Sequence, residues 1–348
     1  MLSKTVLVLG SQGFIGSYIC TELLNKGYSV IGVDNFSKYG EVTRTHDKHQ
    51  NFTLIRTDCS KEEFVTIMQN YEFEYIIAGA AMIGGISYFH KYAYDLLATN
   101  ERIIANSFDL ALEHFKGKKL RRIIVLSSSM VFENSQKWPT DEIQVTKSPP
   151  PSSTYGFQKL SCEYFAKGAW EQYGLPYTII RPFNCIGVGE EEALGENSYL
   201  SGNIKLALSH VVPDLVNKCL KGQDPLHILG SGNQIRHYTN GKDIARGIRI
   251  CLESEKAINK DFNISSPVST TVLELAKMIW EKINPEKPFR FISDPPFEYD
   301  VEKRIPSVEK AENILNFEAK ISLDESLDEV ICWMKQRKSD RSTDFSNQ

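Results

Sequence analysis

Tyr155 and Lys159 are the residues whose types and spacing most directly suggest chemistry. They are four positions apart in Tyr-Gly-Phe-Gln-Lys, and in a helix this spacing places both side chains on one face. A tyrosine is a weak base at neutral pH, but a neighbouring ammonium stabilises its phenolate and can also hold a ribose hydroxyl. The pair predicts a base that removes a proton from a hydroxyl group. An exposed helical pair without any catalytic role would show the same pattern.

Three serines at 127–129 follow the apolar run 122–126. If this run is a strand of a parallel sheet, the serines lie at the carboxyl ends of the strands, where ligands bind in such sheets. A hydroxyl there can donate a hydrogen bond to a reacting oxygen. We expect at least one of the three serines to serve only the loop that follows the strand.

The elements that would position these residues begin with a glycine-rich turn at 10–16. It lies between an apolar run at 5–9 and a helix-like stretch, and Asp34 follows a second apolar run at 28–33. Glycine lets the backbone turn tightly and approach the pyrophosphate of a dinucleotide, whose charge lies at the helix N-terminus. An acid at position 34 accepts hydrogen bonds from the adenosine ribose and repels a 2′-phosphate. The pattern therefore predicts NAD rather than NADP.

Short apolar runs alternate with helical patterns through the first half of the chain. This alternation predicts an α/β fold, a Rossmann-type doubly wound parallel sheet with a smaller, discontinuous C-terminal substrate domain. We predict the cofactor domain at 1–184 and 236–265, the substrate domain at 185–235 and 266–336, and a polar tail at 337–348. Strands are predicted at 5–9, 28–33, 52–56, 75–78, 121–127, 176–181 and 260–264. Helices are predicted at 14–26, 61–70, 94–115, 155–173, 203–221 and 241–252, with a loop at 36–50 and no regular structure at 134–153.

The composition restricts the classes of function. The 348 residues are 41% hydrophobic with a net charge of −4, and the scattered Lys and Arg argue against a nucleic-acid-binding surface. The apolar runs are too short to cross a membrane, and no signal peptide precedes the first strand. The seven cysteines form no C-x-x-C pair and indicate reduced thiols in a cytoplasmic protein. The histidines show no metal-ligand spacing, so we predict no metal site.

Further motifs resemble the extended short-chain dehydrogenase/reductase family, in particular its NAD-dependent nucleotide-sugar epimerases and dehydratases. The resemblance covers nearly the whole chain. The matching segments are 10–16, Asp34-Asn35, Asp58, 78–81, Asn100, 127–132, 155–159, 181–184 and 234–236.

The resemblance implies roles for individual residues. Ser128 takes the catalytic serine or threonine position, Tyr155 is the base and Lys159 is its partner. The implied NAD contacts are Gly10, Gly13, Phe14, Ile15, Gly16, Asp34, Asn35, Asp58, Cys59, Ala78, Gly79, Ala80, Asn100, Ser127, Tyr155, Lys159 and Pro182. The implied substrate is a nucleoside-diphosphate sugar, and its implied contacts are Gly84, Gly85, Ser128, Ser129, Asn184, Arg236 and Arg304. Paired guanidinium groups suit a diphosphate, although both arginines could equally form surface ion pairs.

Departures from the family patterns distinguish between its reactions. The 4,6-dehydratases have an acidic pair directly after the catalytic threonine, and decarboxylases have a glutamate at the second of these positions, whereas Ser129 and Met130 stand here. The cysteine that 3,5-epimerases use at position 130 is also absent. We therefore predict C4 epimerisation through a transient 4-keto sugar, which needs no acid beyond Tyr155. The pattern does not specify the nucleotide or the sugar.

Two alternative functions stay open. Residues 82–86 and 209–213 resemble GDP-fucose synthase, and such a keto-sugar epimerase or reductase would use a second acid, for which Lys205 is a candidate. A non-catalytic dinucleotide sensor is the other alternative, but such proteins typically lack the Tyr or the Lys.

The family resemblance implies a homodimer. In this dimer, the helices at 94–115 and 155–173 of the two chains would pair across a two-fold axis. The apolar residues available for this contact include Leu96, Leu97, Ile103, Ile104, Phe108, Leu160, Tyr164 and Phe165.

Overall fold

The computed structural model describes residues 4–83, 91–190, 198–201, 204–207, 210–296 and 301–346. Gly84 and Gly85, predicted to bind substrate, lie outside the described residues, as does the side chain of Lys205. The strands are β1 Thr5–Leu9, β2 Ser29–Asp34, β3 Phe52–Arg56, β4 Tyr75–Ala78, β5 Arg122–Leu126, β6 Tyr177–Pro182, β7 Cys185–Ile186, β8 Ser198–Ser201, β9 Ile204–Ala207, β10 Leu226–Leu229, β11 Ile235–Arg236, β12 Thr239–Asn240, β13 Lys260–Ile264, β14 Thr270–Thr271 and β15 Phe291–Asp294. The helices are α1 Phe14–Asn25, α2 Glu63–Met68, α3 Ala93–Lys116, α4 Gln144–Lys147, α5 Thr154–Tyr173, α6 Val211–Leu220, α7 Gly241–Glu253, α8 Val272–Ile283, α9 Glu309–Leu315 and α10 Leu323–Ser346.

A seven-stranded parallel sheet organises the larger part of the chain, in the order β13-β6-β5-β4-β1-β2-β3. Its strands form from short apolar runs, because a parallel sheet covered by helices is buried on both faces. Val6 and Val8 of β1 pack with α1 and α7, while Leu7 and Leu9 pack with α2, α3 and α5. Helices therefore cover both faces, and the predicted Rossmann-type doubly wound fold is confirmed.

The order of the strands reverses at β1, whose neighbours are β2 and β4. In sheets of this type, ligands bind beyond the carboxyl ends of the strands at this point. Gly10 follows β1 with a φ of +82°, and a Cβ there would lie 3.0 Å from Ala80 Cα, just after β4. The two strand ends thus approach so closely that only glycine fits between them.

A third hydrophobic core belongs to a smaller unit that includes α6, α8, α10 and β10. Trp280 lies in this core, 1% exposed, and its indole nitrogen donates to Lys287 O at 3.0 Å. Around the core the strands pair in twos, β10 with β15 and β11 with β14. Between the segments of this unit, α7 and β13 return to the large sheet. This core is separate from the two cores that flank the large sheet, and the predicted residue boundaries of the two domains stay a prediction.

The predicted helix at 203–221 is wrong in its first half. Ile204–Ala207 form β9, which pairs antiparallel with β8, and α6 begins only at Val211. The physical reason is Pro213. Proline has no N–H, so a helix accepts it in the first turn, where that donor has no partner within the helix.

Two further segments contain more helix than the sequence predicts. The polar tail continues α10, which runs to Ser346 because its sequence contains no Gly or Pro. The proline-rich stretch 134–153 includes the single turn α4. Among the helices of the described residues, none is both long and apolar enough to cross a membrane.

Candidate active site

The carboxyl ends of the large sheet and the smaller unit enclose a cavity of about 280 Å³. The sequence predicts three kinds of residue for the site, and the cavity wall contains all three. It includes the predicted cofactor residues Phe14, Ile15, Ser127 and Pro182, the predicted catalytic residues Ser128 and Tyr155, and the predicted substrate residues Ser129, Asn184, Arg236 and Arg304.

Tyr155 and Lys159 lie together at the start of α5. Tyr155 is 5% exposed and lines the cavity, and Lys159 Nζ lies 5.9 Å from the centroid of its ring. The ammonium of Lys159 donates to Leu126 O at 2.9 Å, which ties the helix to the end of β5. Ser153 fixes where the helix begins, because its Oγ accepts a hydrogen bond from Gly156 N at 3.0 Å. The pair is therefore buried and held in place, unlike an exposed helical pair.

Ser128 and Ser127 have different surroundings. Ser128 lines the cavity, and its Oγ accepts from Met130 N at 3.2 Å, so its hydroxyl hydrogen can be donated to a ligand. The hydroxyl of Ser127 donates to Glu163 at 2.6 Å. The hydrogen of this hydroxyl is therefore engaged within the protein, and Ser127 ties the strand end to α5.

The structure contains a buried ion pair beneath these serines that the sequence did not predict. Glu163 and Arg181 are both 0% exposed, and Arg181 Nε and Nη2 donate to the two carboxylate oxygens at 2.7 and 2.6 Å. Arg181 also contacts Asp261 at 2.8 Å. Burial lowers the pKa of the guanidinium, but the charges of Glu163 and Asp261 outweigh burial and raise the pKa overall. Its sequence signal is a glutamate four residues after Lys159, on the same helix face.

The turn at 10–16 fits the pyrophosphate of NAD. A Cβ at Gly13 would lie 3.1 Å from Gly10 O, and a Cβ at Gly16 only 1.9 Å from it, so α1 packs directly on the turn. No side chain caps α1, and its first turn contains no acidic residue. Its first N–H groups therefore face the turn as donors for an anion.

Asp34 and Asp58 lie on the adenosine side of this turn. Asp34 Oδ2 accepts from Gln12 N at 2.9 Å and Oδ1 from Phe36 N at 2.8 Å, and each oxygen has a second lone pair for a ribose hydroxyl. Burial raises the pKa of Asp58, but hydrogen bonds from Ser60 and Asn35 lower it overall. Asp58 is thus held in its ionised, hydrogen-bond-accepting form.

The other predicted cofactor residues lie on α3, which carries Asn100, and at or just after the ends of β3 and β4. Asn100 is 1% exposed and brackets Met82, accepting from its N at 2.7 Å and donating to its O at 3.0 Å. It therefore positions the segment after β4. Cys59 is buried, and its carbonyl accepts from Asn106. Ala78 and Gly79 are the residues where β4 ends.

The predicted diphosphate ligands Asn184, Arg236 and Arg304 also line the cavity. Asn184 has a φ of +34° and donates to His237 O at 3.3 Å. Arg236 is 6% exposed and donates to Ile235 O at 2.9 Å, so it is not a surface ion-pair residue. Arg304 N donates to Ile235 O at 3.1 Å, which places the two arginines on adjacent backbone segments.

The structure adds two further pairs of ionisable residues to the cavity wall. Glu190, 6% exposed, pairs with His210. Asp214 and Lys218 lie four residues apart on α6, and Lys218 donates to His227 O at 2.8 Å. The four-residue spacing of Asp214 and Lys218 on a helix could have revealed this pair from the sequence. Glu190 could not be recognised in this way, because it begins an acidic run that has the composition of a solvated loop. Within the described ranges, no three His, Cys, Asp or Glu side chains converge on a metal site.

Comparison with known proteins gives one family. The model of the NAD dependent epimerase/dehydratase family matches residues 6–265. The putative UDP-glucose 4-epimerase of Methanocaldococcus jannaschii is 28% identical over 333 residues, which are 95% of this chain and 98% of that protein. UDP-glucuronic acid decarboxylase 2 of Arabidopsis thaliana is 26% identical over 336 residues, 95% of this chain and 68% of that protein.

Solved structures that are similar to this chain indicate the same family. UDP-glucose 4-epimerase of Thermotoga maritima, crystallised with UDP-glucose, has a TM-score of 0.80 and 27% identity, covering 96% of this chain and 99% of that one. UDP-glucuronic acid 4-epimerase of Bacillus cereus, in complex with UDP-glucuronic acid and NAD, has a TM-score of 0.78 and 25% identity, covering 95% and 99%. The chain therefore belongs to the NAD-dependent epimerase/dehydratase family, and its cofactor is NAD.

Proposed function

We propose that the protein is a nucleotide-sugar epimerase that inverts C4 of its substrate through a transient 4-keto sugar. The observation that carries this proposal is the composition of the cavity beside Tyr155. Met130 packs against Tyr155, and Ser129 lies next to Ser128, so neither position offers a carboxylate. Dehydration or decarboxylation of the family's type uses an acid there. Inversion at C4 does not, because the same group can remove and return the proton.

The residues have distinct roles in this reaction. Tyr155 removes the proton of the 4-hydroxyl, and Ser128 donates a hydrogen bond to the same oxygen. The ammonium of Lys159 stabilises the phenolate of Tyr155 and holds a ribose hydroxyl of the cofactor. The glycine turn at 10–16 and Asp34 would hold NAD, which when bound would supply a hydride acceptor for C4 and a source for the hydride that returns. Rotation of the keto sugar between these events exposes its other face, and Tyr155 then returns the proton.

The substrate is a nucleoside-diphosphate sugar. Arg236 and Arg304 suit its diphosphate, because guanidinium groups stay charged and form paired hydrogen bonds to phosphate oxygens. Leu215, Ile228 and Val272 provide apolar walls on the side of the smaller unit, where a planar base can lie. UDP-sugars are the first candidates, because the names of the similar proteins refer to UDP-sugars.

A second candidate function is favoured by the Glu190–His210 pair. An imidazole held by a carboxylate can move protons, and this pair lines the same cavity as Tyr155. Such a group would allow proton exchange at the carbons beside a 4-keto group. The activity would then be that of a keto-sugar 3,5-epimerase or reductase, the alternative that the resemblance of residues 209–213 leaves open.

One experiment separates these candidates. The purified protein is incubated in D₂O with UDP-, dTDP-, GDP- and CDP-sugars, and the products are identified by NMR. We expect a product inverted at C4 without solvent deuterium, since the hydride returns to its own carbon. Deuterium at C3 or C5 that is absent with His210→Asn would support the second candidate instead. Bound NAD without turnover of any sugar nucleotide would support a dinucleotide sensor.

We also propose that the protein is a homodimer that pairs α3 and α5 across a two-fold axis. Leu96, Ile104 and Phe108 of the predicted stripe are buried in the chain's own core and are not available for this contact. Phe157 and Tyr164, seven residues apart on α5, are 49% and 65% exposed, which supports an interface there. Light scattering at micromolar concentration should give the dimer mass, and Tyr164→Glu should give the monomer mass.

A further inference from the structure

The segment between β2 and β3 lies over the glycine turn and is fastened to it. Asp47 Oδ1 accepts from Gln12 Nε2 at 2.9 Å, and Asp47 Oδ2 accepts from Arg44 N at 2.7 Å. Gln12 is the third residue of the turn, 2% exposed, and its own N–H donates to Asp34. The segment therefore covers the turn from outside the cavity and is bound to it through side chains.

Arg44 makes the strongest connection in this region. It is 8% exposed, and its Nε and Nη2 both donate to Gln12 O, at 3.0 and 2.9 Å. Its Nη1 donates to Gly189 O at 3.2 Å. One guanidinium thus joins the dinucleotide turn to the segment 187–190, whose last residue, Glu190, lines the cavity. Charge-assisted hydrogen bonds of this kind are roughly twice as strong as those between neutral groups.

The surroundings of Arg44 hold it in this position. Tyr39 lies beside it, 5.5 Å from ring centroid to guanidinium carbon, with Lys38 Nζ 4.9 Å from the same centroid. Gly189 has a φ of +93°, and a Cβ there would lie 2.8 Å from Arg44 Nη1. The backbone at 189 can therefore approach the guanidinium only because it carries no side chain.

A second hydrogen bond joins segment 187–190 to α1, the helix that begins at the glycine turn. Tyr18 on α1 donates to Val188 O at 3.0 Å, and a Cβ at Gly187 would lie 2.3 Å from the hydroxyl of Tyr18. Segment 187–189 is therefore attached both to α1 and to the turn from which α1 begins. A pyrophosphate at the N-terminus of α1 would lie beside this attachment.

We propose that Arg44 retains NAD by locking the glycine turn to segment 187–190. Release of the dinucleotide requires the turn and the segments around it to move apart, and the three hydrogen bonds of Arg44 oppose this movement. Its positive charge also lies beside the place where general principles put the pyrophosphate. This role concerns the cofactor of the family and is independent of the sugar nucleotide and of the C4 reaction. Retention suits an enzyme that regenerates NAD in every turnover.

The test measures release of radiolabelled NAD from the loaded protein into excess unlabelled NAD, without sugar nucleotide. Arg44→Ala should accelerate release by about tenfold or more, as expected for loss of charge-assisted hydrogen bonds. Arg44→Lys keeps the positive charge but loses the paired donors of the guanidinium, so NAD release from this variant should be nearly as fast as from Arg44→Ala. Gly189→Ala disturbs the same contact from the other side and should also accelerate release. Arg56→Ala is the matched control, because Arg56 pairs with Glu41 of the same segment but its side chain is 63% exposed.

Unchanged release in Arg44→Ala and Gly189→Ala, with normal NAD content, would overturn the proposal. Release restored by Arg44→Lys would overturn the role of the hydrogen-bonded lock, because charge alone would then suffice. If Arg44→Ala does not fold, Arg44→Lys and Gly189→Ala provide the same comparison. Failure of the C4 reaction would leave these rates unchanged, so the two proposals are tested separately.

Discussion

The part of the molecule that carries the proposed chemistry and the part that carries the proposed substrate specificity are built differently. Tyr155 and Lys159 lie on a helix of 20 residues packed against the seven-stranded sheet. Arg236 lies on a strand of two residues, and Arg304 lies in a segment paired beside it. Long regular elements hold the reacting groups rigidly, whereas short connections can change without disturbing the sheet. Under the proposed function, the chemistry would depend on the large sheet with α5, here called the frame, and substrate choice would depend on the short segments around Arg236 and Arg304, here called the connections.

The largest expected effect is on the chemistry of the frame. Tyr155→Phe removes only the phenolic oxygen, so turnover should fall by about 10²- to 10⁴-fold, the usual scale for loss of a general base. NAD content should remain, since the ring still packs against Met130 and Leu96. Lys159→Met should reduce both turnover and NAD affinity. Near-normal turnover in Tyr155→Phe would show that the residue at the centre of this frame is not the base.

The next effect is on the stability of the frame. Glu163→Gln leaves Arg181 with a buried charge that only Asp261 balances, so unfolding in denaturant should cost about 3 kcal/mol less than for the wild type. Glu72→Gln is the matched control, because Glu72 forms an exposed pair with Lys119, and its stability should not change measurably. Equal effects of the two substitutions would mean that the buried pair does not stabilise the frame.

A smaller effect depends on pH. His46 is 3% exposed, and burial lowers its pKa to about 4, with Asp47 raising it and Arg44 lowering it. Because the unfolded state binds a proton near pH 6.5 and the folded state does not, stability is lost as the pH falls from above 6.5 toward 4. Between pH 7 and pH 5 the wild type should lose about 2 kcal/mol more than His46→Gln. The same loss in both proteins would assign the pH dependence to other groups.

The smallest expected effect concerns the connections. Arg236→Ala would remove the proposed charge-assisted hydrogen bond to the diphosphate, so KM for the sugar nucleotide should rise about tenfold with a smaller change in kcat. Arg121→Ala is the control, since Arg121 is an exposed residue paired with Glu74. A large fall in kcat with unchanged KM would place Arg236 in the chemistry and break the distinction between the two parts.

The sequence predicts the frame well because its signals are local. The turn at 10–16, Asp34 and the Tyr155–Lys159 spacing each depend on a few neighbouring residues, and the strand runs alternate with helices as the sheet requires. Glu163 has a local signal in its spacing from Lys159, but Arg181 and the contacts of Arg44 with Gln12 and Gly189 depend on residues that are distant in the chain, so no local pattern reveals them. Pro213 is a local signal for the first turn of α6, whereas the predicted helix at 203–221 places it in the middle of a helix.

The central claim is that a hydride leaves C4 and returns to C4 in the same cavity. It is tested most directly with the sugar nucleotide that the NMR panel identifies, deuterated at C4 and converted in ordinary water. We predict that the inverted product keeps its deuterium at C4 and that conversion is slower than with the unlabelled substrate. Loss of the label to solvent during conversion would contradict the account, because it would show that C4 is inverted by proton exchange.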